Sequence, residues 1–244
     1  MKGLIVLMAF FAVPSCLFAQ YAIGIKASPF IFGSWNYATG NINDNTFVSG
    51  FYSGFSWAPV NAGAFFSYTF RDNFAIQTEI KPMVEGFSCT ITDSDINGGL
   101  FTFTYIETPL LFQYKREIRF PGFAESGLAL KFFVEAGLAP KFLVEANHGY
   151  YVRRYDGDVF LYEDEEQYDA RSYFNKVVLK GNAGGGIMLD FAEHFTLIID
   201  TRLGYDFTPI GKKSVVERMG KVWSFDNVRL LHFTIISFGI AYRF

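Results

Sequence analysis

Apolar and polar residues alternate along most of this chain. Phe74, Ile76, Thr78, Ile80 and Val84 share one parity, while Gln77, Glu79, Lys81 and Glu85 take the other. The pattern recurs in Phe195, Leu197, Ile199, Leu203, Tyr205 and Phe207 against Thr196, Asp200, Arg202 and Asp206. Successive side chains of an extended strand point to opposite faces, so this period predicts strands with one apolar and one polar face. Further runs of the same kind cover about 21–34, 58–70, 101–115, 128–146, 177–191 and 229–244, giving eight predicted strands. No segment of helical period competes with them after residue 19.

The connections alternate in length. Short links fall at Arg71-Asp72-Asn73 and Ala192-Glu193-His194, with a moderate one at about 116–127. Long links rich in Gly, Asn and charge fall at about 35–57, 88–100, 147–176 and 208–228. In an up-and-down meander this puts four large loops at one end and tight turns at the other. Outer-membrane barrels have this asymmetry, with short periplasmic turns and long extracellular loops. A secreted, soluble lipocalin-like barrel also has eight strands, but it has no reason to sort its loops by end. The expected fold class is therefore all-β, a transmembrane up-and-down antiparallel β-barrel of eight strands.

Composition adds to this picture. The chain carries 30 Phe and 14 Tyr, a heavy aromatic load, and strands and membrane interfaces both favour these residues. Tyr21, Tyr68, Tyr114, Tyr205, Phe207, Tyr242 and Phe244 sit near strand ends on the apolar face, as an interfacial girdle does. A net charge of -3 does not argue for nucleic acid. Residues 1–19 read as a signal peptide: Lys2, an apolar stretch from Gly3 to Val13, Pro14, and a small residue, Ala19, before the cut. Residues 20–244 then form the barrel. A competing reading takes Cys16 as a lipid-attachment site, with almost no tether before the first strand. With the cut at Ala19, Cys89 stands alone and no internal disulfide forms.

The stretch Tyr105-Ile106-Glu107-Thr108-Pro109-Leu110-Leu111-Phe112-Gln113-Tyr114-Lys115 resembles the strand motif Tyr-Leu-Glu-Ile-Pro-Leu-Leu-Leu-Lys-Tyr of the PorT-like outer-membrane β-barrel family, often labelled "porin family protein". Ala62-Gly63, the Arg-Asp-Asn turn and Phe74-Ala75-Ile76-Gln77-Thr78-Glu79 are similar to that family's strand–turn–strand ending in Gln-x-Glu. Asn182-Ala183-Gly184-Gly185-Gly186 resembles its Gly-rich strand, and Tyr242-Arg243-Phe244 its terminal Tyr-x-Phe. The resemblance spans most of the mature chain and departs in the long third loop. It implies an eight-stranded barrel in the outer membrane of a Gram-negative-type bacterium. It implies neither a single activity nor membership of a secretion system.

With the apolar face outward, the polar face lines the lumen. That places Glu79, Lys81, Glu107, Lys131, Glu135, Lys180, Asp200 and Arg202 inside, together with Lys26, Glu85, Lys115, Lys141, Glu145, Asp190, Asp206 and Arg243. An eight-stranded barrel is just wide enough for side chains to fill. Buried charges persist by pairing, so this mixed set reads as a salt-bridged plug with a structural role. A small-solute channel is the alternative, although a one-sign ring suits conduction better than a balanced set.

Enzyme chemistry finds little support, including that of lipid-modifying outer-membrane barrels. His194 falls in a short turn, His232 near the start of the last strand, and His148 opens the third loop without a Ser at a suggestive spacing; no G-x-S-x-G, metal-ligand spacing or phosphate loop appears. Asp156-Gly157-Asp158 is too short for a calcium loop. No catalytic residue, cofactor or metal is expected.

Two features point to partners. The third loop holds Tyr150, Tyr151, Arg153, Arg154 and Tyr155, residue types enriched at contacts. A competing reading is that Val159-Phe160-Leu161-Tyr162 extends the barrel as a hairpin above the membrane. In the last run Ile236, Phe238, Ile240, Tyr242 and Phe244 share one face. Ile240, Tyr242 and Phe244 are expected to be the signal read by the outer-membrane assembly machinery, through strand addition. The expected partners are outer-membrane lipid, that machinery, and an extracellular or envelope protein met through the loops; nucleic acid is not expected, and the barrel is expected to be a monomer.

Overall fold

The computed structural model describes residues 20–28, 34–39, 61–70, 73–90, 97–118, 128–156, 159–163, 167–212, 215–218, 221–224 and 228–244. Residues 1–19, read above as a signal peptide, and the Arg71-Asp72 part of the first turn lie outside them. The strands are β1 (Gln20–Ser28), β2 (Ser34–Thr39), β3 (Asn61–Phe70), β4 (Phe74–Thr90), β5 (Asn97–Glu107), β6 (Leu110–Ile118) and β7 (Ala129–Asp156). They continue with β8 (Val159–Glu163), β9 (Gln167–Asp169), β10 (Val177–Phe191), β11 (Phe195–Asp206), β12 (Val215–Arg218), β13 (Lys221–Ser224) and β14 (Arg229–Arg243).

The barrel strands pair antiparallel all the way round. β1 pairs β3, β3 pairs β4, and β4 pairs both β5 and β6. Both in turn pair β7, followed by β10, β11 and β14. Finally β14 returns to β1, with Ala22 opposite Arg243 and Ile25 opposite Ile240, and the sheet closes. β5 and β6 form one stave, because Glu107↔Lys81 and Leu110↔Thr78 keep a single register against β4 across Thr108-Pro109. Pro109 has no N–H to give the ladder, which breaks the pairing there without shifting it. The result is a closed eight-strand antiparallel β-barrel.

The two faces sort as the alternation predicts. Ile25, Ile80, Leu110, Val134, Leu138 and Val177 are among the large apolar residues exposed on the outside. Lys26, Glu79, Glu107, Glu135, Lys180, Asp200 and Arg202 are buried inside. Such a barrel has its wet chemistry within and its apolar surface without, the arrangement of a membrane-spanning one.

Two bulges correct the simple alternation. Thr104 faces Glu145 but Tyr105 faces Leu143, so β7 carries one extra residue there. An inserted residue reverses the parity that follows it. Glu145, expected in the lumen, therefore points out and bonds Asn147 at 2.9 Å, while Ala146 and His148 turn in. In β14 the register shifts opposite Asp200/Arg202. His232 and Thr234 face in above the shift; Ser237 and Ala241 face in below it.

At the long-loop end the third loop forms the hairpin that the competing reading of Val159-Phe160-Leu161-Tyr162 expects. β7 runs ten residues past the predicted end at 146, to Asp156, and β8 folds back on it with Arg153 opposite Tyr162. β9 pairs β7 at His148↔Tyr168, and β2 continues the β1 side onto β14 at His232↔Asn36. β12 and β13 form a separate hairpin.

Candidate functional site

The lumen is built in layers, and each layer follows from which strand positions face inward at one height. At the short-turn end, the carboxylate of Asp190 on β10 accepts from Lys131 of β7 at 2.7 Å, from Arg243 of β14 at 2.9 Å and from Thr196 of β11 at 2.6 Å. Above it Phe65, Phe133, Met188, Ile198 and Ala241 form an apolar waist.

The next layer centres on Arg202. Its Nη1 and Nη2 donate to the two oxygens of Glu79 at 2.9 and 2.8 Å, and its Nε donates to Glu135 at 2.8 Å. A planar guanidinium between two carboxylates makes directional, charge-assisted bonds to both. Gln113 donates to Gln77 at 3.0 Å and to Glu135 at 2.8 Å, while Gln77 donates to Glu79 at 2.7 Å. Beside them Lys26 lies 2.6 Å from Asp200, which also accepts from Ser237. Lys26 is 5.5 Å from the Phe65 ring centroid, so it joins this layer to the waist. A gap of about 20 Å³ beside Lys26 and Arg202 has room for about one water.

A third layer lies higher. Glu107 accepts from Lys180 at 3.2 Å and from Asn182 at 3.1 Å, with Lys81 at 3.9 Å. Lys141 bonds Glu85 at 2.7 Å and Asp206 at 2.8 Å. His232 is enclosed 3.9 Å from Glu85 and 3.1 Å from the Thr234 hydroxyl. Glycines make room for these long chains: a Cβ on inward Gly204 would lie 2.8 Å from Asn182 Oδ1 and 3.0 Å from Lys180 Nζ.

Above the ions sits an apolar cap that the sequence analysis did not identify. Phe101, Phe103 and Tyr105 of β5 face inward and meet Phe174, Val178, Ile210, Val228 and Leu230. Phe174 packs edge-on against Phe103 at 4.6 Å, and Phe101 stacks on His148 at 4.0 Å. Lys141 lies 4.7 Å from the Tyr105 ring, which couples cap to ions. Backbone bonds knit the covering segments together: Asn175 N to Ile210 O at 2.7 Å, Ile210 N to Val228 O at 2.8 Å, and Lys212 N to Tyr173 O at 3.0 Å. The signal for this cap was parity. Phe101, Phe103 and Tyr105 share theirs with Glu107, which alternation already placed inside.

The remaining predicted residues fall elsewhere. Tyr150, Tyr151, Arg153, Arg154 and Tyr155 lie on the β7 extension, paired by backbone to β5 or β8, and their side chains are outside the described residues. Ile240, Tyr242 and Phe244 face outward, with Phe244 70% exposed and its N–H donating to Tyr21 O at 3.0 Å. His194 is exposed in its turn, 3.2 Å from Arg243 O. Among the described residues no group of three His, Cys, Asp or Glu converges to hold a metal ion.

The profile of the outer membrane protein beta-barrel domain matches residues 18–210. Among solved structures, Neisserial surface protein A is 13% identical, with 93% of this chain and 99% of that chain covered and a TM-score of 0.35. OprG from Pseudomonas aeruginosa is 13% identical over 93% and 95% of the two chains, with a TM-score of 0.41. Ail, the attachment invasion locus protein of Yersinia pestis, is 14% identical over 93% and 99%, with a TM-score of 0.31. No curated protein matches the sequence.

Proposed function

Since the chain belongs to the outer membrane protein beta-barrel domain family and resides in the Gram-negative outer membrane, we propose that it is a non-conducting barrel that acts through the β-structure above its apolar belt. The observation that carries this is the filled lumen. Three layers of ions bond across it, and the aromatic cap closes over them. A conduit needs sites that an ion can enter and leave, whereas the charges above the waist are already paired across the lumen.

With the long loops extracellular, as in outer-membrane barrels generally, the extension of β7 past residue 146 stands clear of the bilayer together with β8 and β9. A transmembrane strand needs about 9–11 residues, and β7 has 28. A rigid strand platform suits binding of an extracellular or envelope partner, with Tyr150, Tyr151, Arg153, Arg154 and Tyr155 as its candidate contacts. The motif at Tyr105–Lys115 supports placing the chain near the PorT-like branch of barrels.

Planar-bilayer recording of the purified barrel tests the proposal. No steady current is expected from the native protein. Replacing both Phe103 and Phe174 with Ala is expected to introduce brief openings at most, because the ion layers remain. Steady conductance by the native barrel would establish the channel alternative instead.

A further inference from the structure

Below the apolar waist the lumen widens into a recess of about 590 Å³ at the short-turn end. That volume falls in the range of small-molecule sites, about 300–1,000 Å³. Its lining includes three cations, Lys115, Lys131 and Arg243, against two carboxylates, Asp190 and Glu117. Asp190 is already engaged by Lys131, Arg243 and Thr196.

Donors are left over. Among the described residues the Lys115 ammonium has one long bond, to Thr69 Oγ1 at 3.4 Å. Ser67 is 3% exposed, and its hydroxyl has no partner among the described residues. The Arg243 Nε has none either. Water can complete the hydrogen bonds of such a recess, but it leaves the charge uncompensated and a buried donor prefers an ionised acceptor. The Lys115 ammonium and the Arg243 Nε can only donate, and the Ser67 hydroxyl can donate as well.

We propose that the recess is a periplasm-facing binding site for a small oxyanion, a phosphate or carboxylate group held chiefly by Lys115 with Ser67 and Arg243 alongside. The site ends at the waist and is independent of whether the layers above conduct. It uses the short-turn end, while the proposed partner platform is at the other.

The test is equilibrium dialysis of the detergent-solubilised full chain against radiolabelled inorganic phosphate and, separately, succinate at fixed ionic strength. Saturable uptake of at least one probe, one per chain, is expected. Lys115→Gln is expected to weaken it at least tenfold and Ser67→Ala several-fold. Lys115→Arg, which keeps the charge if Lys115→Gln folds poorly, is expected to retain most of it, as is Lys176→Gln at the opposite end. Tighter uptake of phosphate assigns phosphate-bearing solutes, and tighter uptake of succinate assigns carboxylates; either supports the site. No saturable uptake of either probe, or equal uptake by native protein and a folded Lys115→Gln variant, overturns it. Because no bilayer is involved, failure here leaves the conductance result untouched, and the converse holds.

Discussion

Glu107 is wholly enclosed, with Lys180 and Asn182 bonded to its two oxygens. Replacing it with Leu leaves the Lys180 ammonium buried beside Glu85 at only 3.9 Å. Breaking a buried pair from one side costs about 3–5 kcal/mol, whereas replacing both partners with apolar residues is often near neutral. Thermal or denaturant melting in detergent is expected to show a large loss for Glu107→Leu and recovery when Lys180→Met is added. An unchanged melting curve for Glu107→Leu would remove it from the structural ions. Gly204→Val pushes a side chain into the space of Lys180 and Asn182, and overpacking of this kind costs about 1–3 kcal/mol. The inward placement of Glu107, Lys180 and Arg202 was legible because alternation needs only parity. Which cation meets which carboxylate was not, because that depends on barrel stagger, and a stagger leaves no mark on any one strand.

At the scale of elements, the covering segment between β9 and β10 has its own clip. The Nε and Nη2 of Arg171 bond the Asp169 carboxylate at 2.7 to 3.1 Å, and the Arg171 N–H donates to it at 3.0 Å. These bonds to the charged form draw the Asp169 carboxyl down to about 2. An ordinary Asp titrates near 3.9, so the clip is complete above about pH 4 and is lost as pH falls through about 2. Amide protection at Arg171 is expected to drop between pH 5 and pH 2, and to show no such drop in Asp169→Asn. Equal protection at both values in the native chain would dissociate the clip from Asp169. Elements differed in how far they could be read. β10 was located at both ends, since its Gly and charged residues alternate without a bulge. β7 was cut short at 146, because the bulge at its Leu143–Glu145 stretch breaks the period there. The cap escaped notice because an inward aromatic and a girdle aromatic are the same residue type, told apart only by the parity of their neighbours.

For the molecule as a whole, closure is the decisive event, and β14 performs it by pairing β1 on one side and β11 on the other. The proposed recognition of Ile240, Tyr242 and Phe244 during assembly needs them accessible, and all three face outward. The Phe244 ring, 70% exposed, has only Tyr242 at 5.2 Å beside it among the described rings. Phe244→Ala is therefore expected to lower the amount of barrel reaching the outer membrane while leaving the melting temperature of the inserted fraction nearly unchanged. Normal abundance with a collapsed melting temperature would make Phe244 an anchor instead. The ion layers bear on time as well as on structure. Arg202 and Glu79 are 123 positions apart, Lys180 and Glu107 are 73, and Lys141 and Glu85 are 56. No partly built sheet can hold all of these pairs at once, so the set is complete only when the sheet closes. Interactions missing at the barrier slow escape from the native state without speeding its formation. Once shut, the barrel is expected to persist by the slowness of its opening, with the charges inside it among the contacts that slow it.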